Sequence, residues 1–297
     1  MRSLTSLIIF SLLVASCHAP AAKDEKKKYT IGYMVCNSEQ ETLVRFRPLT
    51  AYLSKKLGVQ FEAKAIDTIG FTKELPKLDF THTNSLLYII MNRNDGVGIL
   101  AAEKAGSLGA RAKGIIIALK KSGIKSVKDL KGRSMVFGPM LGPTSYMSQL
   151  DVLLKNKIDP ENDLSFYAIP QGSFKHEKVI YGVLFGKYDA GAAPLLDYER
   201  MIRDDRIDPN DFTVVAEGDV IPYCNFAVTQ KVDDGFAKRF KQVLLNIKKD
   251  ETVEVDGEVV RVLERAMIDG YEDVSDKDFD SVREMAKRTN MPPYQRF

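Results

Sequence analysis

Residues 134–154, SMVFGPMLGPTSYMSQLDVLL, read as a short apolar strand (Ser134 to Phe137), a loop of small and hydroxyl-bearing residues, and a helix running through Leu154. The loop centres on Gly142-Pro143-Thr144-Ser145-Tyr146. The first N–H groups of a helix have no intrahelical partner and lie at the positive end of the helix dipole, so such a terminus receives anions readily. Thr144 and Ser145 add hydroxyl donors and Tyr146 a further amide, which makes this loop the candidate anion site. The competing reading is an ordinary helix cap, because Ser and Thr cap helices everywhere.

The same strand–helix grammar extends in both directions. Tyr29 to Val35, Val59 to Ala65, Leu78 to Thr83 and Gly114 to Leu119 read as strands. Leu43, Phe46, Leu49, Leu53 and Leu57 recur at helical spacing up to Gly58, and Ser85 to Met91 is an apolar helix. Beyond the loop, strands at Leu164 to Ala168, Tyr188 to Ala192, Thr213 to Ala216 and Asn225 to Thr229 flank a helix from His176 that stops at Gly186. A last long helix carries Phe236, Phe240, Val243, Leu244 and Ile247. Strands separated by helices predict an α/β protein with mainly parallel sheets. The length suits two lobes, residues 29–118 plus 226–297 and residues 119–225. The chain would cross near Leu119 to Ser122 and return near Ile221 to Asn225. Ligands of open α/β sheets bind beyond the carboxyl ends of the strands, so the site falls in a cleft between lobes joined by a hinge.

Composition excludes several classes. The 297 residues carry 43 Lys and Arg against 40 Asp and Glu, too even a balance to argue for nucleic acid, and no basic stripe interleaved with aromatics appears. There is no H-E-x-x-H, G-x-S-x-G or phosphate-binding G-x-x-x-x-G-K-[ST], so neither an enzyme nor a cofactor is expected. Histidine and cysteine spacings offer no metal signature.

Residues 1–16 read as an export signal: Arg2 is the positive start, Leu7 to Val14 the apolar run, and Val14-Ala15-Ser16-Cys17 a small-residue end. The run is too short to span a bilayer, which takes about 20 residues. Residues 17–28, with Lys23-Asp24-Glu25-Lys26-Lys27-Lys28, then form a polar tether. Cys36 and Cys224 remain in an oxidising compartment, where packing, a disulfide, or capture of a soft ligand all stay open.

Several segments together resemble one family. Val14-Ala15-Ser16-Cys17 is similar to the lipobox of bacterial lipoproteins, which implies lipidation of Cys17 and a membrane anchor. Arg45-Phe46-Arg47-Pro48-Leu49-Thr50-Ala51-Tyr52-Leu53-Ser54-Lys55-Lys56-Leu57-Gly58 resembles the first helix of the periplasmic phosphate/phosphite/phosphonate-binding proteins of ABC importers. Ser122 to Gly132 (SGIKSVKDLKG) resembles their SGIKSLADLKGK segment, and Gly186 to Ala192 (GKYDAGA) their GKVDAGA segment. The likeness runs from about Thr30 to Arg288 and implies a type II periplasmic-binding-protein fold.

That resemblance assigns ligand contacts to Thr144, Ser145, Tyr146 and His176 in one lobe, and to Tyr88, Asn84, Ser85 and Cys36 in the other. Cys224 joins them at the return crossing. The family's Ser-Thr-Ser loop falls on Pro143, Thr144 and Ser145, and Pro143 lacks both a hydroxyl and an N–H. The acids that hold the amine of aminoalkylphosphonates fall near Pro194 and on Cys224, so an amine-bearing ligand is not expected. The function implied is a monomeric, lipid-anchored, extracytoplasmic receptor. It would close on a small phosphorus oxyanion and pass it to an ABC permease. The alternative is a ligand-sensing partner of a sensor histidine kinase, reporting a thiophilic oxyanion such as arsenite through Cys36 and Cys224.

Overall fold

The computed structural model describes residues 27–169 and 176–296. Its strands are β1 (Lys28–Met34), β2 (Gln60–Ile66), β3 (Phe80–Thr83), β4 (Gly98–Lys104), β5 (Arg111–Ala112), β6 (Gly114–Leu119), β7 (Ser134–Val136) and β8 (Phe166–Ala168). They continue with β9 (Ala190–Pro194), β10 (Phe212–Glu217), β11 (Ile221–Pro222), β12 (Asn225–Val228), β13 (Thr252–Val255), β14 (Glu258–Arg261) and β15 (Gly270–Glu272). The helices are α1 (Glu39–Leu57), α2 (Phe71–Glu74), α3 (Ser85–Asp95), α4 (Ser148–Lys155), α5 (Pro160–Asp163), α6 (His176–Leu184), α7 (Leu195–Arg203), α8 (Asp234–Leu245), α9 (Val262–Ala266) and α10 (Asp280–Arg288).

Two sheets carry two lobes, as the alternating pattern predicts. The first is ordered β15-β4-β12-β3-β1-β2 and the second β10-β6-β9-β7-β8. Each has a parallel core, β2-β1-β3 and β9-β7-β8. Strands β12 and β6 run against their neighbours. Both are entered directly from the other lobe, with no helical crossover to restore the parallel direction. The short pair β5 and β11 joins the two crossings, Ile221 opposite Ala112 and Pro222 opposite Arg111. The first crossing therefore lies just before β6, earlier than Leu119 to Ser122, and residues 114–118 belong with the second sheet. The run of six buried residues in β6 does not reveal which lobe it serves.

Local chemistry explains the main elements. Ser38 caps α1 by accepting from the Glu41 N–H at 3.2 Å, and Gly58 ends it at φ 70°, a left-handed angle that glycine takes without a Cβ clash. The inner face of α1 (Phe46, Leu49, Tyr52, Leu53) meets an aromatic core in which Tyr29 stacks on Phe236 at 4.5 Å and Phe80 on Phe240 at 4.1 Å. In the second lobe β6 is covered on both faces: Ile116 and Ala118 enter one core, Ile115 and Ile117 the other. Asp189 accepts from the Ser134 N–H and hydroxyl at 2.9 and 2.8 Å and clamps β7 to the turn before β9. Lys28, placed by sequence in the tether, already pairs with Gln60 in β1. Cys17 and the export signal lie outside the described residues.

Candidate functional site

The carboxyl ends of the parallel strands face each other across a cleft of about 910 Å³. Its second-lobe wall is the loop from Gly142, wound as a π-turn over Pro143–Met147 before α4 begins. Three amides converge on the Gly142 carbonyl: Ser145 at 3.4 Å, Tyr146 at 3.0 Å and Met147 at 3.2 Å. The Tyr146 N–H, a candidate anion donor, is thereby used inside the turn, and the Tyr146 ring packs against Phe137 at 5.3 Å. Thr144 and Ser145 do line the cleft.

Ser145 is fully buried, and its hydroxyl has no partner among the described residues. A Cβ on Gly142 would stand 2.1 Å from that Oγ, and one on Gly138 2.6 Å away, so both glycines leave room for this hydroxyl. Gln149, one turn into α4 and 1% exposed, lies 2.8 Å from the Thr144 carbonyl, 3.1 Å from that of Ile115 and 3.1 Å from that of Ala193. Its amide ties the π-turn to β6 and β9. Sequence reasoning misses this positioning group, because a glutamine inside a helix carries no distinguishing signal.

His176 opens α6 on the same wall. Its Nδ1 is buried without a partner among the described residues. The adjoining Glu177 is held by a bidentate pair with Arg206 at 2.6 and 3.0 Å, which fixes the start of the helix.

The first-lobe wall brings in Asn84, Ser85, Cys36 and Cys224. The Asn84 oxygen caps α3 by accepting from the Leu87 N–H at 2.9 Å, and its nitrogen donates to the Leu141 carbonyl at 3.0 Å across the cleft. Asn84 is thus a cap and a strut between lobes, with both ends of its amide engaged. Ser85 is 1% exposed, and its hydroxyl has no partner among the described residues.

Tyr88 is not brought to the cleft. It is fully buried, its ring lies 4.4 Å from Phe279, and its hydroxyl donates to Asp276 at 2.7 Å. Burial is the main cause pushing that hydroxyl's pKa well up, and Asp276 adds to it. All of Ser85 to Met91 is buried, so a tyrosine one turn into α3 packs in the core.

Cys36 and Cys224 are half-buried and both free, so no disulfide joins them. Burial pushes both thiols up, with Arg45 opposing it in each case. The thiolate, which is the metal-ligating form, is therefore disfavoured. Among the described residues no group of three His, Cys, Asp or Glu is placed to hold a metal ion.

Among the charged residues lining the same cleft that sequence reasoning did not assign are Arg45 on α1 and Asp197 on α7. Asp197 follows Pro194 by three residues and supplies a carboxylate where none was expected.

A family model described as "ABC transporter, phosphonate, periplasmic substrate-binding protein" matches residues 31–279. Among solved structures, PhnD1 from Prochlorococcus marinus in complex with methylphosphonate is similar at a TM-score of 0.74 and 17% identity, over 89% of this chain and 98% of that one. XAC2383 from Xanthomonas citri bound to ATP follows at 0.71 and 16%, over 89% and 97%. A binding protein component of an ABC phosphonate transporter from Pseudomonas aeruginosa (PA3383) is similar at 0.71 and 18%, over 89% and 87%. At these identities the structural likeness establishes the two-lobed fold.

Proposed function

The chain belongs to the periplasmic phosphonate-binding proteins of ABC transporters, and from that premise we propose that it captures a small phosphorus oxyanion between Thr144 and Ser145 of one lobe and Ser85 of the other. The family is one of substrate-binding proteins and not of enzymes, and its partner is the permease of the importer.

The observation that carries the docking mode is the pair of buried hydroxyls, Ser145 Oγ and Ser85 Oγ. They line one cleft from opposite walls and have no partner among the described residues. A buried hydroxyl without a partner costs free energy that a bound oxyanion recovers. His176 completes the shell from the start of α6. Closure follows from the same geometry, since an anion held by both walls favours the state in which they are near. The ligand is a phosphonate, with phosphate and phosphite as the inorganic members of the same class. The methylphosphonate bound to the Prochlorococcus relative supports a tetrahedral phosphorus group as the common element. Burial pushes both the Cys36 and Cys224 thiols up, away from the thiolate that captures a soft ion, which weighs against the arsenite reading.

A thermal-shift series with methylphosphonate, phosphate, phosphite, sulfate and arsenite tests the reading. A phosphorus oxyanion at 100 times its Kd adds about 2.7 kcal/mol of stability, while arsenite adds none. Stabilisation by arsenite alone would reverse the assignment. We further propose that Cys17 is lipidated and tethers the receptor to a membrane. Cys17→Ser then releases it into the soluble fraction or blocks its processing, and unchanged detergent partitioning would refute the anchor.

A further inference from the structure

Among the charged residues that line the cleft, Arg45 comes from the first lobe and Asp197 from the second. Arg45, with 24% of its side chain exposed, is fixed by two contacts behind it: its Nε donates to the Ala266 carbonyl at 2.6 Å, and its Nη2 lies 3.5 Å from Glu103. Glu103 cannot reach a ligand, being 1% exposed and engaged by His82 at 2.7 Å. The guanidinium is therefore held rigidly, and its Nη1 has no acceptor among the described residues. Asp197 stands on the first turn of α7 and has no hydrogen-bond or ion-pair partner among the described residues. Both charges act on the Cys36 and Cys224 thiols, which places them around one small uncharged patch of floor. The cleft, at about 910 Å³, has room for more than a methyl group beside the phosphorus.

Resting on the oxyanion reading above, we propose that the ligand is a phosphonate whose other end is an α-amino acid, its carboxylate on Arg45 and its ammonium on Asp197. A planar guanidinium offers paired donors that suit a carboxylate, and a lone carboxylate on the opposite wall suits an ammonium. A phosphonate with an uncharged tail leaves the Asp197 carboxylate without a counter-charge and leaves the outer edge of the Arg45 guanidinium, paired behind with Glu103, without an acceptor. Recognition of both groups also draws the lobes together, because Arg45 and Asp197 belong to different walls.

Isothermal titration with four probes tests this: 2-amino-3-phosphonopropionate, 3-phosphonopropionate (no amine), 2-aminoethylphosphonate (no carboxylate) and methylphosphonate (neither). The amino-acid probe should bind at least tenfold more tightly than each of the other three. Arg45→Gln should abolish its advantage over 2-aminoethylphosphonate, and Asp197→Asn its advantage over 3-phosphonopropionate. Unchanged circular dichroism and a single cooperative thermal transition certify that both variants fold. Four probes within threefold of one another on the unsubstituted protein, or variants that weaken methylphosphonate as much as the amino-acid probe, would overturn the proposal. Binding of methylphosphonate together with failure of the charged probes overturns it alone. Failure of all four removes the oxyanion reading as well.

Discussion

At the scale of single residues, the proposed recognition rests mainly on the hydroxyls at Thr144 and Ser145, which line the cleft. Hydrogen bonds from a hydroxyl to an anion are worth about 1.5–3 kcal/mol each. Thr144→Ala with Ser145→Ala should lower phosphonate affinity at least tenfold by titration calorimetry while circular dichroism stays unchanged. Full retention of affinity would reduce the loop to a structural cap. These two positions are legible in the sequence because hydroxyl residues in a small-residue loop mark a helix start, whereas the turn that spends the neighbouring amides on the Gly142 carbonyl is not. Tyr88 is not, because an aromatic position matched to a cleft residue says nothing of which way its ring points in a helix buried on all sides. Arg45 and Asp197 are hidden for a related reason. Each precedes an apolar residue by one helical turn, Leu49 and Met201, and a charge in such a place reads as a boundary residue until the other lobe is set against it.

At the scale of elements, the π-turn is the feature on which the site depends. Its carbonyl hub at Gly142 gathers three amides and leaves the Ser145 hydroxyl against glycine. Gly142→Ala places a Cβ 2.1 Å from that hydroxyl and 2.9 Å from the Pro139 carbonyl, so the turn must shift. The expected result is a loss of phosphonate affinity exceeding tenfold with only about 1–3 kcal/mol of lost stability, read by calorimetry and denaturant unfolding on the same sample. A variant that binds normally would show that Ser145 has room to turn away. Sequence periodicity locates β1, α1, β6 and α8 to within a few residues, because each carries a clear apolar repeat. It misses β4, whose Ala101-Ala102-Glu103-Lys104 are poor strand formers and whose strand is set by the slot between β12 and β15. It also passes over the β13–β14 hairpin. The signal there is Asp256-Gly257 between alternating valines, with both turn residues at positive φ, 55° and 81°.

At the scale of the whole molecule, the lobes are joined beyond the hinge strands. Arg288, at the end of α10 in the first lobe, grips Asp151 of α4 in the second through bonds of 2.7 and 3.0 Å, and Lys155 adds a contact at 2.8 Å. Burial works against ionising Asp151, but the hydrogen bonds from Arg288 and Lys155 outweigh it and hold its carboxyl below the usual range. A carboxyl whose folded pKa is lowered stabilises above its unfolded pKa, about 3.9, and the contribution fades as pH falls through the folded value. Asp151→Asn should therefore cost about 1–2 kcal/mol from pH 7 down to about 5, with the difference from the unsubstituted protein closing below about pH 4. Thermal unfolding across that range measures it, and a difference that persists unchanged at pH 3 would show that the pair contributes through packing instead. No sequence pattern announces such a bridge, since its partners stand 137 positions apart.

Two further bonds cross the mouth of the cleft, from Asn84 to the Leu141 carbonyl and from Arg200 to that of Met267, each at 3.0 Å. They join wall to wall and have to part before a captured molecule can escape. Under the proposed capture their effect is on time: they slow the ligand's release more than its arrival.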